Sequence, residues 1–236
     1  MGSRVPVEFG VGNAFWPAPV ALISVGVNNP NFFTLGVMGA PCNNPPILTI
    51  SPKPYRYSYD LLHRHGEFVV NFPTVDMIRQ VEYAGMYSGR DVNKWDKCGL
   101  TPTKGHTVSV PLIAECPVSI ECRVLHEIRF RRSKEKLGTH VLVVAEMLQL
   151  SAYEDYVIDG QLCWDLLDLV FRSRPASWRA LGPVMGYDIR KTPPSDPRLA
   201  AERIEERVAG LQDEVLAFER EPPPLPSEEP APPRVD

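Results

Sequence analysis

The sequence contains no G-x-G-x-x-G, no G-x-x-x-x-G-K-[ST], no H-E-x-x-H and no G-x-S-x-G. A nucleotide bound by this chain therefore sits in neither a Rossmann turn nor a phosphate loop, and zincin and serine-elbow chemistry are excluded. Its five cysteines, Cys42, Cys98, Cys116, Cys122 and Cys163, are odd in number and never form a C-x-x-C pair. That argues against a disulfide framework and a thiolate metal site, and for reduced thiols in the cytoplasm. The five histidines are as dispersed: His63 and His65, at i and i+2 of a short helix, share no face, so no metal is expected. Residues 1–15 lack a basic start followed by an apolar core, and Glu8 interrupts them, so no signal peptide is expected. The longest uncharged span, 9–52, is cut by six asparagines and by repeated proline and glycine, leaving no apolar run near the ~20 residues that cross a membrane. A net charge of -4 lacks the basic surplus of a nucleic-acid coat.

What is present is an ordinary globular composition, 44% hydrophobic and 23% charged, in 236 residues, enough for one large domain or two small ones. The charge is uneven: residues 1–190 hold 19 Lys+Arg and 18 Asp+Glu, whereas 191–236 hold 6 and 11. The acidity belongs to an appendage. Residues 191–221 read as a C-terminal amphipathic helix, with Ala201, Ile204, Val208, Leu211, Val215 and Phe218 three and four apart, a stripe too short for a free-standing coiled coil. Residues 222–236 hold seven prolines and read as a disordered, mobile tail.

The body reads as short strands. An apolar run at 20–27 closes on Asn28-Asn29-Pro30-Asn31 and resumes at 32–37, a hairpin signature. A third strand follows at 46–51. Ser58 is expected to cap a short helix stopped by Gly66, a strand returns at 68–72, and Thr74 is expected to cap a second helix that ends at Gly85. The clearest alternation sets Val118, Ile120, Cys122, Val124, His126, Ile128 and Phe130 on a core face against Ser119, Glu121, Arg123, Glu127 and Arg129 outside, with Leu125 alone spoiling the outer face. On this pattern His126 is a core histidine. A basic turn at 131–136 leads to a mostly buried strand at 140–148, and strands with inserted helices but no β-α-β rhythm point to an antiparallel barrel.

Chemistry concentrates in Gly85-Met86-Tyr87-Ser88-Gly89-Arg90-Asp91-Val92-Asn93-Lys94-Trp95. With a helix starting at Asp91, backbone N–H groups, the Ser88 hydroxyl, Arg90 and Lys94 converge on an anion such as a phosphate. The residues alone leave open an ordinary N-cap with solvated cations.

This segment, in order with its neighbours, resembles the flavin reductase-like family. The motifs are Pro19-Val20-Ala21-Leu22-Ile23-Ser24, Pro30-Asn31-Phe32-Phe33-Thr34, Asn44-Pro45-Pro46 through Ser51, and Gly66 through Asn71-Phe72-Pro73. Ser88-Gly89-Arg90-Asp91 through Lys94-Trp95, Pro111 through Glu115-Cys116, Ile120-Glu121-Cys122, and Gly138-Thr139-His140 followed by Glu146 complete the series. The resemblance, over 14–190, implies a mainly β fold with inserted helices, an FMN-binding split β-barrel over residues 1–190. It implies FMN as cofactor and NAD(P)H as co-substrate, a homodimer, and transfer of hydride from NAD(P)H to flavin for a partner oxygenase or electron acceptor. Asn31 and Thr34 would face the isoalloxazine and ribityl groups, Ser51 and Asn71 the flavin's polar edge, and Ser88, Arg90 and Lys94 the phosphate. His140, in the family's Gly-x-His position, would position the nicotinamide as the catalytic residue, on one strand face with Leu142, Val144 and Glu146. Thr139 stands where the family has aspartate, Asn93 where it has an acid, and Ala145 where it has glycine. Those departures leave two alternatives: a flavoredoxin-like electron-transfer protein, or a flavin-fold enzyme acting on a small organic substrate.

Overall fold

A seven-stranded antiparallel sheet forms the body of the computed structural model, which describes residues 17–131, 137–173 and 177–182. Its strands are β2 (Ala21–Val25), β3 (Asn31–Leu35), β4 (Met38–Cys42), β5 (Ile47–Ile50), β6 (Glu67–Phe72), β9 (Val118–Arg131) and β10 (Leu137–Ala152), in the order β3-β2-β6-β9-β10-β5-β4. Short pairs flank it: β7 (Pro102–Thr103) with β8 (Leu112–Ile113), β11 (Val157–Ile158) with β12 (Gln161–Leu162), and β1 (Ala18–Pro19) with β13 (Phe171–Ser173), which pairs in turn with β14 (Ser177–Arg179). The helices are α1 (Tyr57–His65), α2 (Ile78–Met86) and α3 (Lys94–Cys98). The fold is the split β-barrel with inserted helices. All described residues belong to one compact unit that ends at Gly182; the helix expected over 191–221, the tail at 222–236 and the turn at 132–136 lie outside the described residues.

The two-residue period of β2 explains the layering. Ala21, Ile23 and Val25 face one cluster with Leu61 and Leu62 of α1, Phe68 and Val70 of β6, and Val141, Val143 and Ala145 of β10. Leu22, with Val20, faces the other, built from Phe32, Met77, Val81, Ala84 and Trp95 under α2 and α3. Every residue of β2 is buried, and side chains such as Leu22, Ile23, Phe32 and Phe68 each contribute about 1.5–3 kcal/mol on removal from water. The expected hairpin forms, with Ile23 opposite Phe33. β4 has no apolar alternation and contains Pro41; it is legible only as an edge strand, where proline costs no ladder bond.

Several local expectations are corrected. Arg56, not Ser58, is the N-cap of α1, and Ser58 is buried in its first turn; Gly66 does end it, at φ +66, a left-handed cap that glycine adopts without strain. Gly85 does not stop α2, which runs through Met86 to a cap at Tyr87. In β9 the alternation fails on both sides. Ser119 and Glu121 are buried rather than outside, while His126 is exposed rather than in the core. Before residue 123 both faces of β9 are covered, since Val118, Ile120 and Cys122 stay buried while residues 106–108 bond to Glu121 on the other face. The reversal at His126 comes from a one-residue slip, β10 pairing Val144 with His126 but Ala145 with Val124, so that Leu125 is an extra, bulged residue. Past the bulge β9 leaves the core, and Leu125, Ile128 and Phe130 stand about half exposed.

Candidate functional site

A cavity of about 740 Å³ opens where β3, the first turn of α1, the end of α2 and the start of β10 meet. Phe33, Thr34, Val37, Ser51, Tyr57, Tyr87, Ser88, His140 and Trp178 line it, together with the cations Lys53, Arg56, Lys94 and Arg172 against, among the described residues, one acid, Glu82. A smaller cavity of about 250 Å³, lined by Asn31, Gly89, Arg90 and Asn93 among others, shares Lys94 with the first. Of the residues singled out by sequence, Thr34, Ser51, Ser88, Lys94 and His140 meet in the large cavity, and Asn31, Arg90 and Lys94 in the small one.

Strand parity separates the first pair. Asn31 and Thr34 are three apart on β3, so their side chains leave opposite faces. Thr34 donates its hydroxyl to the Val81 carbonyl of α2. Asn31 is buried and donates through Nδ2 to Ser58 Oγ at 3.0 Å. That amide fits only because residue 89 is glycine: a Cβ there would lie 2.2 Å from Asn31 Oδ1.

Asn71, expected at the flavin's edge, lines neither of these two cavities. It is fully buried between β2 and β8, where Nδ2 donates to Leu22 O at 3.0 Å and Ser24 Oγ at 2.9 Å. Its Oδ1 accepts from Ile113 N at 3.0 Å and Ser119 Oγ at 2.9 Å. With both ends of the amide satisfied by the protein, Asn71 holds the barrel together.

The helix expected from Asp91 begins three residues later. Asn93 caps α3 by accepting from Trp95 N at 3.1 Å, and Ser88 Oγ instead accepts from Arg90 N at 3.2 Å within its own turn. Arg90 reaches Asp60 of α1 at 3.2 Å and lies over the Tyr57 ring. Lys94 is buried, and its Nζ donates to Phe32 O and Ala84 O, both at 2.8 Å. Burial, only partly offset by Cys98, lowers its pKa from 10.5 to about 8. Two of the three ammonium donors thus bind carbonyls.

His140, half-buried on β10, shares a 2.8 Å hydrogen bond between Nδ1 and Thr139 Oγ1. Burial first, and then the Lys53 charge, push its pKa below 6.5, so the imidazole is neutral at neutral pH. The expected face holds: His140, Leu142, Val144 and Glu146 are half-buried while Val141, Val143 and Ala145 point into the core.

Sequence reasoning missed Lys53, Arg56, Arg172 and Trp178. No motif marks them; they come from a loop, a helix cap and a distant hairpin. Chemically the cavity is an aromatic-lined pocket with a surplus of positive charge, of the size that takes small-molecule ligands, roughly 300–1,000 Å³. Aromatic faces suit a planar ring system, Thr34, Ser51 and Ser88 offer hydrogen bonds to its edge, and the cations suit a phosphate. These residues fit a flavin mononucleotide. Among the described residues no helix is long and apolar enough to cross a membrane.

Comparison with known proteins agrees with that geometry. The family model described as "Flavin reductase like domain" matches residues 14–165. An uncharacterized protein of Archaeoglobus fulgidus is 34% identical over 146 residues, covering 62% of this chain and 78% of that protein. Among solved structures, a flavoredoxin from Methanosarcina acetivorans superposes with a TM-score of 0.68 at 26% identity, over 78% of this chain and 95% of that one. Nitrilotriacetate monooxygenase component B from Bacillus cereus superposes at 0.69 with 16% identity, over 78% of this chain and 100% of that one, a likeness of fold. With the split barrel and the flavin-sized cavity already in place, the match over most of the barrel makes this chain a member of the flavin reductase-like family of flavin-binding oxidoreductases.

Proposed function

We propose that the large cavity binds FMN and that the protein, as a cytoplasmic homodimer, takes hydride from NAD(P)H and delivers the reducing equivalents to an oxygenase or another acceptor. The observation that carries this reading is the excess of cations, Lys53, Arg56 and Lys94 among them, over the one acid, Glu82, that the described residues place in an aromatic-lined pocket. When bound, the flavin would supply two-electron redox chemistry. The chain's own residues bind, orient and exclude water. Lys94 and Ser88 take the phosphate end, where the two cavities join and Asn31 and Arg90 extend the polar surface. Thr34 and Ser51 face the ring and ribityl edge. His140, neutral and oriented by Thr139, presents Nε2 to the carboxamide of a nicotinamide. The half-exposed Leu125, Ile128 and Phe130 on the outer part of β9 favour burial against a second copy.

The test is an anaerobic visible spectrum of the protein titrated with FMN and then with NADH and NADPH. Flavin bands that sharpen on binding and bleach on nicotinamide addition are expected; a protein that takes up no FMN overturns the reading. A second reading, an electron carrier reduced by a protein partner, is favoured by Thr139 beside His140 and by the likeness to the flavoredoxin. Flavin bound but bleached only by a protein donor would establish it.

A further inference from the structure

We propose that Arg172 anchors a second anion beside the flavin: the phosphate or carboxylate of the molecule that exchanges electrons with it. This rests on FMN occupying the large cavity and assigns a role to a residue that the FMN reading leaves unused.

The β13–β14 hairpin lies beyond residue 165, where the family-model match ends. It is fixed to the barrel through β1, with Ala18 opposite Arg172 and Pro19 opposite Phe171, and Val20 N donates to Val170 O at 3.1 Å. Across the hairpin Arg172 pairs with Trp178, and its guanidinium carbon lies 5.7 Å from the centre of the indole ring. The indole is itself held, since Nε1 donates to Glu82 Oε1 at 2.8 Å. A guanidinium stacked this way keeps its in-plane N–H groups available for two parallel bonds to a carboxylate or phosphate. Among the described residues no carboxylate lies within ion-pair distance of Arg172, and none of them neutralises its charge. Both Arg172 and Trp178 line the cavity. One phosphate at Lys94 and Ser88 does not account for a further cation held on a separate wall. An anionic oxygen group on the second substrate does, whether it is the pyrophosphate of a nicotinamide dinucleotide or the carboxylate of an aromatic acid.

The experiment uses Arg172→Gln and Arg172→Lys in the FMN-loaded full chain. Flavin affinity is read by fluorescence, and flavin bleaching by stopped flow with NADH, NADPH and 1-benzyl-1,4-dihydronicotinamide, which donates the same hydride without any anion. Benzoate, as a competitor, is the aromatic-acid probe. In Arg172→Gln the FMN affinity is expected to stay within about twofold, while the concentration of dinucleotide needed for half-maximal bleaching rises about 10- to 100-fold, the size of a lost charge-assisted bond. The uncharged donor should be unaffected, and Arg172→Lys should fall between. If only benzoate affinity falls, the anion is the carboxylate of an acceptor and the assignment stands. Loss of FMN affinity makes Arg172 a flavin ligand and overturns the proposal, as does equal slowing of charged and uncharged donors or no change in any arm. Wild-type protein that takes up no FMN overturns the functional reading beneath it, a result told apart from these by the first titration.

Discussion

Two sets of polar groups in this molecule differ in what satisfies them. Inside the barrel wall, the Glu121 carboxylate is wholly buried and accepts from His106 N, Thr107 N and Oγ1, and Val108 N, at 2.7–2.9 Å. Asn71 and Lys94 are likewise bonded to the chain. Around the large cavity, by contrast, Lys53, Arg56 and Arg172 lie beside aromatic rings and form no ion pair among the described residues, and Ser51 and His140 are part-exposed. A polar group paired by its own protein is holding structure; one that is positioned, lines a cavity and lacks an opposite charge is available to a ligand. Residue type does not separate the two classes, and Lys94, which lines both cavities with two of its three ammonium donors on carbonyls, stands between them.

Substitutions can break that division, beginning inside the wall. Glu121→Ala leaves three backbone N–H groups and a hydroxyl without their acceptor and should cost at least about 3 kcal/mol in urea unfolding. Burial alone would raise the Glu121 pKa, but those four hydrogen bonds hold it below the ordinary carboxylate value. Its stabilisation is therefore present above pH ~4.3 and lost as pH falls through the lower folded-state value; Glu121→Ala should lack that part of the acid transition.

Asn71→Leu should cost about 2–4 kcal/mol by orphaning Ile113 N and Ser119 Oγ, yet FMN affinity per folded molecule should be unchanged. A large loss of affinity in protein that unfolds normally would return Asn71 to the ligand site. Lys94 gives a smaller, pH-shaped signal. Its folded-state pKa of about 8 lies below the ordinary 10.5, so the native state releases the proton first, and stability should rise with pH between those values. Lys94→Met should flatten that rise while weakening FMN binding, because Lys94 borders both regions.

The smallest effect belongs to the rim. Lys53→Ala removes a positive charge that disfavours the imidazolium, so His140 should titrate at higher pH, read by histidine NMR or by the acid limb of flavin bleaching. An unmoved titration would show that burial alone sets it.

The central strands of the barrel were legible because each is buried on one or both faces, and burial writes apolar alternation or apolar runs into the chain, whereas the exposed edge strand β4 carries no such pattern. Loops and bulges were not. The slip at Leu125, which turns His126 out, depends on the register against β10, and the burial of Glu121 depends on the segment at 106–108 folding over it; no single strand encodes either. The same limit applied at the site: Ser88, Lys94 and His140 stood in recognisable motifs, whereas Arg172 and Trp178 reach the cavity through pairing with β1, more than 150 positions away.

By itself the sequence determined the class of fold, the family and the segment where anion-binding residues gather, since all three depend on local pattern and ordered motifs. Only the tertiary structure decided which polar groups are satisfied by the protein. Lys94 could be seen as a cation from its identity, but the two carbonyls that hold it come from β3 and α2. Solvation and pairing are properties of neighbours in space, and those neighbours lie far apart along the chain.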